Sequence, residues 1–78
     1  MPTVLRVKGY RFFFFSLEGH EPPHIHVESA ERFAKFWLGP VALAKSRRFR
    51  SGELSEIQRL IEENLELLER RWHEHFSN

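Results

Sequence analysis

The last third of the chain repeats its apolar residues at helical spacing. Leu54, Ile57, Ile61, Leu68, Trp72 and Phe76 fall on one side, and Arg59, Glu63, Glu66 and Arg70 fall opposite. The stripe specifies a helix over residues 52–76, with Ser51 as its expected N-cap. A helix with one apolar side needs a surface to cover. Asn64 and His75 lie inside the apolar arc and are expected to find hydrogen-bond partners if buried. His73, on the polar side of the last turn, complements the helix dipole.

The first half of the chain supplies that surface. From Thr3 to Leu17 the residues are mostly β-branched and aromatic, with Gly9 in the middle, which reads as one long strand or two pieces hinged at a bulge. Tyr10, Phe12 and Phe14 share one face and Arg11, Phe13 and Phe15 the other, because side chains alternate along a strand. With both faces apolar, this strand is either central in its sheet or docked on another chain. Tyr10, Phe13 and Phe15 are therefore the candidate partner interface, for a small protein or a second copy of this chain.

Gly19-His20-Glu21-Pro22-Pro23 turns the chain, since neither proline can donate a ladder hydrogen bond. His24 to Ser29 then alternates, with Ile25 and Val27 on one face and His24, His26 and Glu28 on the other. A hairpin near Ala30 and Glu31 leads into Phe33 to Leu38, Gly39-Pro40 ends that strand, and Val41 to Lys45 makes one more. The expected fold is α+β: an antiparallel sheet of three to four strands with one long C-terminal helix packed on one face, forming a single domain over residues 1–78.

A chain of 78 residues has room for one modest core, and without cysteine neither a disulfide nor a thiolate zinc site can reinforce it. Packing or a partner must do so. Eight phenylalanines, two tryptophans and one tyrosine are a heavy aromatic load for this length. No stretch approaches the roughly 20 apolar residues of a membrane-spanning helix, and no basic region followed by an apolar run opens the sequence. The expected location is the cytoplasm, with no membrane partner. The net charge of +1 hides a split: residues 1–50 carry nine Lys/Arg against four Asp/Glu, and residues 51–78 three against seven. One surface suits an anion and the other a protein.

His24 and His26, one residue apart on a strand, point the same way, and imidazole nitrogens beside a carboxylate are ordinary ligands for zinc or iron. No cofactor is required by the sequence, but a divalent metal at His24 and His26 is one reading. There is no cysteine or aspartate in the chain, so further ligands would come from Glu18, Glu21, His20, His73 or His75. The plain structural alternative is that both histidines lie on a polar sheet face and hydrogen-bond the turn before them. A third reading makes them general acid and base on RNA, since imidazole titrates near neutral pH. Lys45, Arg47, Arg48 and Arg50 would then hold phosphates, with Phe49 free to stack on a base, unless the segment is simply a solvated loop. Tyr10, Phe12, Phe14 and Trp37 read as packing, with Arg11 and Lys35 the only basic residues near them.

At Pro2-Thr3-Val4, Gly9-Tyr10-Arg11-Phe12 and above all Glu21-Pro22-Pro23-His24-Ile25-His26-Val27, the sequence resembles the small prokaryotic domain-of-unknown-function family DUF4160. The resemblance continues through Glu53-Leu54, Ile57, Glu63-Asn64 and Trp72. It implies a chain often encoded beside a second small domain, in pairs suspected of being toxin–antitoxin-like modules. A looser likeness, in the plan of histidine-bearing strand, basic turn and closing helix, is to small messenger-RNA-cleaving toxins.

The leading expectation is thus one component of a two-gene toxin–antitoxin-like module, binding a small protein encoded by a neighbouring gene, with RNA as a second ligand. The alternatives are a His-based enzyme, ribonuclease-like or metal-dependent, using His24 and His26, and a regulatory domain that binds protein without catalysis.

Overall fold

The computed structural model describes residues 3–76. Five strands, β1 (Thr3–Val7), β2 (Tyr10–Phe13), β3 (His24–Ser29), β4 (Arg32–Leu38) and β5 (Val41–Arg47), precede α1 (Ser51–Glu63) and α2 (Leu65–Phe76). The strands form one antiparallel meander in the order β1-β2-β3-β4-β5. The α+β class stands, but the sheet holds five strands, the helix is two, and its N-cap lies one residue earlier.

The sheet has five strands rather than three or four, because Thr3 to Leu17 divides at Gly9 into two strands joined by a tight turn rather than by a bulge. Lys8 and Gly9, with φ of 54° and 84°, form a two-residue turn that folds β1 back on β2, and Val7 pairs with Tyr10. After Phe13 the chain leaves the sheet and runs as a loop to Pro23.

The single long helix is two. At Asn64 (φ −115°, ψ 17°) the side-chain amide donates to the Leu60 carbonyl at 2.8 Å, the same carbonyl that accepts the Asn64 backbone N–H at 3.1 Å. The side-chain bond shares the ladder acceptor at the break and supplies the partner that Asn64 needs. The N-cap is Arg50, one residue before Ser51, with the Glu53 carboxylate accepting the Arg50 backbone N–H at 2.9 Å.

Cross-strand partners share a face of the sheet. Tyr10, Phe12, Ile25, Val27, Ala34, Phe36 and Leu38 all point to one face, where Ile57, Leu60, Ile61, Leu68 and Trp72 of the helices cover them. This is the core, and the amphipathic stripe closes it as the periodicity requires. The opposite face carries Phe13, His24, His26, Glu28, Phe33, Lys35 and Trp37, and continues onto β5 with Lys45 across from Lys35 and Arg47 across from Phe33. No helix among the described residues is long and apolar enough to cross a membrane.

Candidate functional site

The loop from Phe14 to Pro23 folds back over the start of β3 and places Glu18 against both histidines. Glu18 Oε1 lies 2.8 Å from His24 Nε2 and 2.6 Å from His26 Nε2. The other nitrogen of His24, Nδ1, is 2.9 Å from the Pro22 carbonyl oxygen. That oxygen can only accept, so His24 Nδ1 carries a proton and Nε2 is the nitrogen turned to Glu18. His26 Nδ1 is buried with no hydrogen-bond partner among the described residues.

The cluster sits in an aromatic box. His24 packs between Trp37, at 5.6 Å, and Trp72, at 4.9 Å, while His26 lies against Phe13, Phe15 and Phe33 at 5.5, 4.4 and 5.6 Å. Exposure is 0% for His24 and 2% for His26. Desolvation by these rings holds His26 below the ordinary imidazole value, although the adjacent Glu18 opposes it. For Glu18, burial acts to raise the carboxyl, but hydrogen bonds from His24 and His26 outweigh it and the carboxyl lies below its usual range. The group can thus hold a cation, proton or metal, between one oxygen and two nitrogens. Of the side chains the sequence offers as a third ligand, Glu18 is the one brought within 4.8 Å of both imidazoles.

The other candidate residues are dispersed. Lys45 and Arg47 stand exposed on β5 on the face of the cluster, whereas Arg48 turns away through a φ of 70° to meet Glu31, and Arg50 caps α1. Phe49 is not free to stack on a base: it is buried in the core beside Tyr10, with ring centroids 5.9 Å apart. In the expected partner interface, Tyr10 is buried beneath α1 with its hydroxyl donating to Glu56 at 3.0 Å, and Phe13 is 2% exposed. Both are consumed by the domain's own packing, and Phe15 alone keeps some surface. His75 is exposed and stacks on Phe14 rather than entering the core. Glu28 pairs with Arg11 at 2.8 Å and takes no part in the cluster.

The domain is a small meander sheet with helices on one face and a buried His-His-Glu cluster on the other. The chain belongs to the Domain of unknown function (DUF4160) family, which matches residues 9–73. No curated protein and no solved structure matches it.

Proposed function

We propose that this domain is one component of a two-gene toxin–antitoxin-like module and that it contacts RNA through the sheet face carrying Lys45 and Arg47. The supporting observation is the makeup of that face. Cations and aromatic rings alternate across it: Phe33, Lys35 and Trp37 on β4 face Arg47, Lys45 and Ala42 on β5. The Lys35 ammonium already lies 4.7 Å from the centre of the Trp37 ring. Lys45 and Arg47 have no ion-pair partner among the described residues, so their charge is free for phosphate, and half-buried Phe33 and Trp37 present rings beside them. Helices with seven acidic and three basic residues lie on the opposite side and would repel RNA, which leaves their outer surface for the protein partner.

An acid–base role for the histidines is poorly served by this geometry. Both Nε2 atoms are engaged by Glu18, and neither ring reaches solvent.

Binding of a labelled single-stranded RNA oligonucleotide tests the reading. Affinity should fall with salt, and the Lys45→Glu, Arg47→Glu double variant should bind at least tenfold more weakly with a log–log salt slope smaller by about 1.4, from two lost phosphate contacts. Absence of binding at about 50 mM salt would instead favour the protein-binding regulatory domain.

A further inference from the structure

We propose that Glu18, His24 and His26 form a binding site for one divalent transition-metal ion of the zinc class, which clasps the loop before β3 to the sheet. Three donor atoms from three side chains converge within 4.8 Å, two of them from a strand that holds its histidines on one face. Two imidazoles and one carboxylate suit zinc, cobalt or nickel, while magnesium and calcium favour sets made only of oxygen.

The tautomer of His24 carries the argument further. Its Nδ1–H is donated to the Pro22 carbonyl, so in the neutral ring the Nε2 lone pair faces the Glu18 oxygen at 2.8 Å. Between that nitrogen and the carboxylate oxygen a cation must sit, either a proton shared as a hydrogen bond or a metal ion in its place. A metal-bound histidine is arranged in the same manner: one nitrogen on the metal, the other N–H held by a backbone carbonyl or carboxylate. His26 directs a second Nε2 at the same oxygen from 2.6 Å, its ring fixed in place by Phe13 and Phe15.

The fit requires an adjustment at both ends. Ligands about 2.0–2.1 Å from a tetrahedral zinc are roughly 3.3 Å from one another, so the carboxylate must retreat by about 0.5–0.7 Å and the two imidazole nitrogens, now within 4.8 Å of one another, must draw together. Glu18 is able to do so, because it sits in the irregular loop with 22% of its side chain exposed. Water reaching it from that side completes the coordination. Metal binding then ties residues six and eight positions apart, one in the loop and two in the strand. In a domain without disulfides this fixes the loop that walls the basic face.

The full chain, stripped with a chelator and dialysed, is titrated with zinc chloride in competition with a chromophoric chelator, and with cobalt chloride by visible absorption. One equivalent should bind, with a rise in melting temperature and an intense cobalt spectrum of low coordination number. Glu18→Gln should weaken zinc at least tenfold. A triple variant, His20→Gln, His73→Gln, His75→Gln, should bind as wild type, since it spares the cluster and removes the exposed imidazoles. No saturable binding by the folded wild type, or loss of binding in the triple variant, overturns the proposal even if Glu18→Gln fails to fold. Undiminished binding by a folded Glu18→Gln overturns it as well.

Discussion

Lys35 on β4 and Lys45 on β5 are direct cross-strand partners, and of the two it is Lys35 that has a counter-ion, the Glu21 carboxylate at 2.8 Å. Like charges placed opposite each other oppose pairing. A basic residue retained at Lys45 therefore costs the sheet a little, and its charge is directed outward.

Lys45→Glu should accordingly leave the melting temperature unchanged or slightly higher, since an opposed pair replaces a like pair for a gain of about 0.2–1 kcal/mol, toward the low end at an exposed edge. The same change should weaken RNA binding. Thermal unfolding and binding measured on one preparation separate the two effects. A fall of many degrees would mean that Lys45 and Lys35 do not face each other.

Acid should destabilise the metal-free domain in two steps. The folded value of His26 is depressed by burial, so its contribution is present above the unfolded value of about 6.5 and is lost as pH falls through the lower folded one. Glu18 is depressed by its histidine hydrogen bonds, and Glu21 by its bond to Lys35, so theirs is present above about 4.5 and lost below it. Unfolding free energy in chelator should thus decline first below pH 6.5 and again below 4.5. His26→Gln should remove the upper step and keep the lower. A flat profile from pH 7 to 5 in the wild type would contradict the burial of a neutral His26.

How much of this is legible in the sequence differs by element. Strands β3 and β4 announce themselves, because His24 to Ser29 alternates, Phe33 to Leu38 is a short apolar and aromatic run, and each ends at a turn. The β1–β2 hairpin does not. Its turn is Lys8-Gly9, without the Asn or Asp that usually marks a left-handed first position. The break at Asn64 is equally hidden, since the apolar stripe continues on both sides of it. In the site, the shared face of His24 and His26 follows from strand alternation, but their closure by Glu18 does not. That contact is made by a loop with no repeating pattern, so Glu18 stands among several equal candidates until the chain is folded. Phe13 and Phe49 show the converse: an aromatic side chain reads the same whether it is spent inward or left for a partner.

Phe13 on β2 and Phe15 in the loop after it both pack on His26 and should respond differently to truncation. Phe13 is 2% exposed and stacked on His26, so Phe13→Ala should cost about 3–5 kcal/mol, a large share of what a domain of this size has. Phe15 is half-buried and should cost less than about 2 kcal/mol. Phe15→Asp should keep the fold, and lowered co-purification with the proposed protein partner would place that partner at this edge of the sheet rather than on the helices. Equal losses of stability at the two positions would show that Phe15 is as deeply packed as Phe13.

Gly19 offers the most direct way to move Glu18 without altering the cluster's own atoms. A Cβ at Gly19 would lie 2.7 Å from Phe76 Cδ1, 3.2 Å from Cγ and 3.3 Å from Cβ, so rotating the ring cannot clear it. Phe76 in turn is held by Trp72, at 4.1 Å between ring centroids, and by Phe14. Either the last turn of α2 withdraws or the loop lifts, and the loop carries Glu18 as the neighbouring residue. Gly19→Ala should cost about 1–3 kcal/mol as overpacking, which is roughly 4–8 °C in melting temperature per kcal/mol for a domain of this length. It should also weaken zinc binding, because the carboxylate moves away from His24 and His26. Gly9→Ala is the matched control. Its φ of 84° makes any side chain strained at about 1–2 kcal/mol, yet its Cβ meets nothing within 4 Å and the turn holds no ligand. The two variants should lose comparable stability and differ in metal affinity, so a parallel loss of zinc in both would mean that affinity follows global stability rather than the position of the loop.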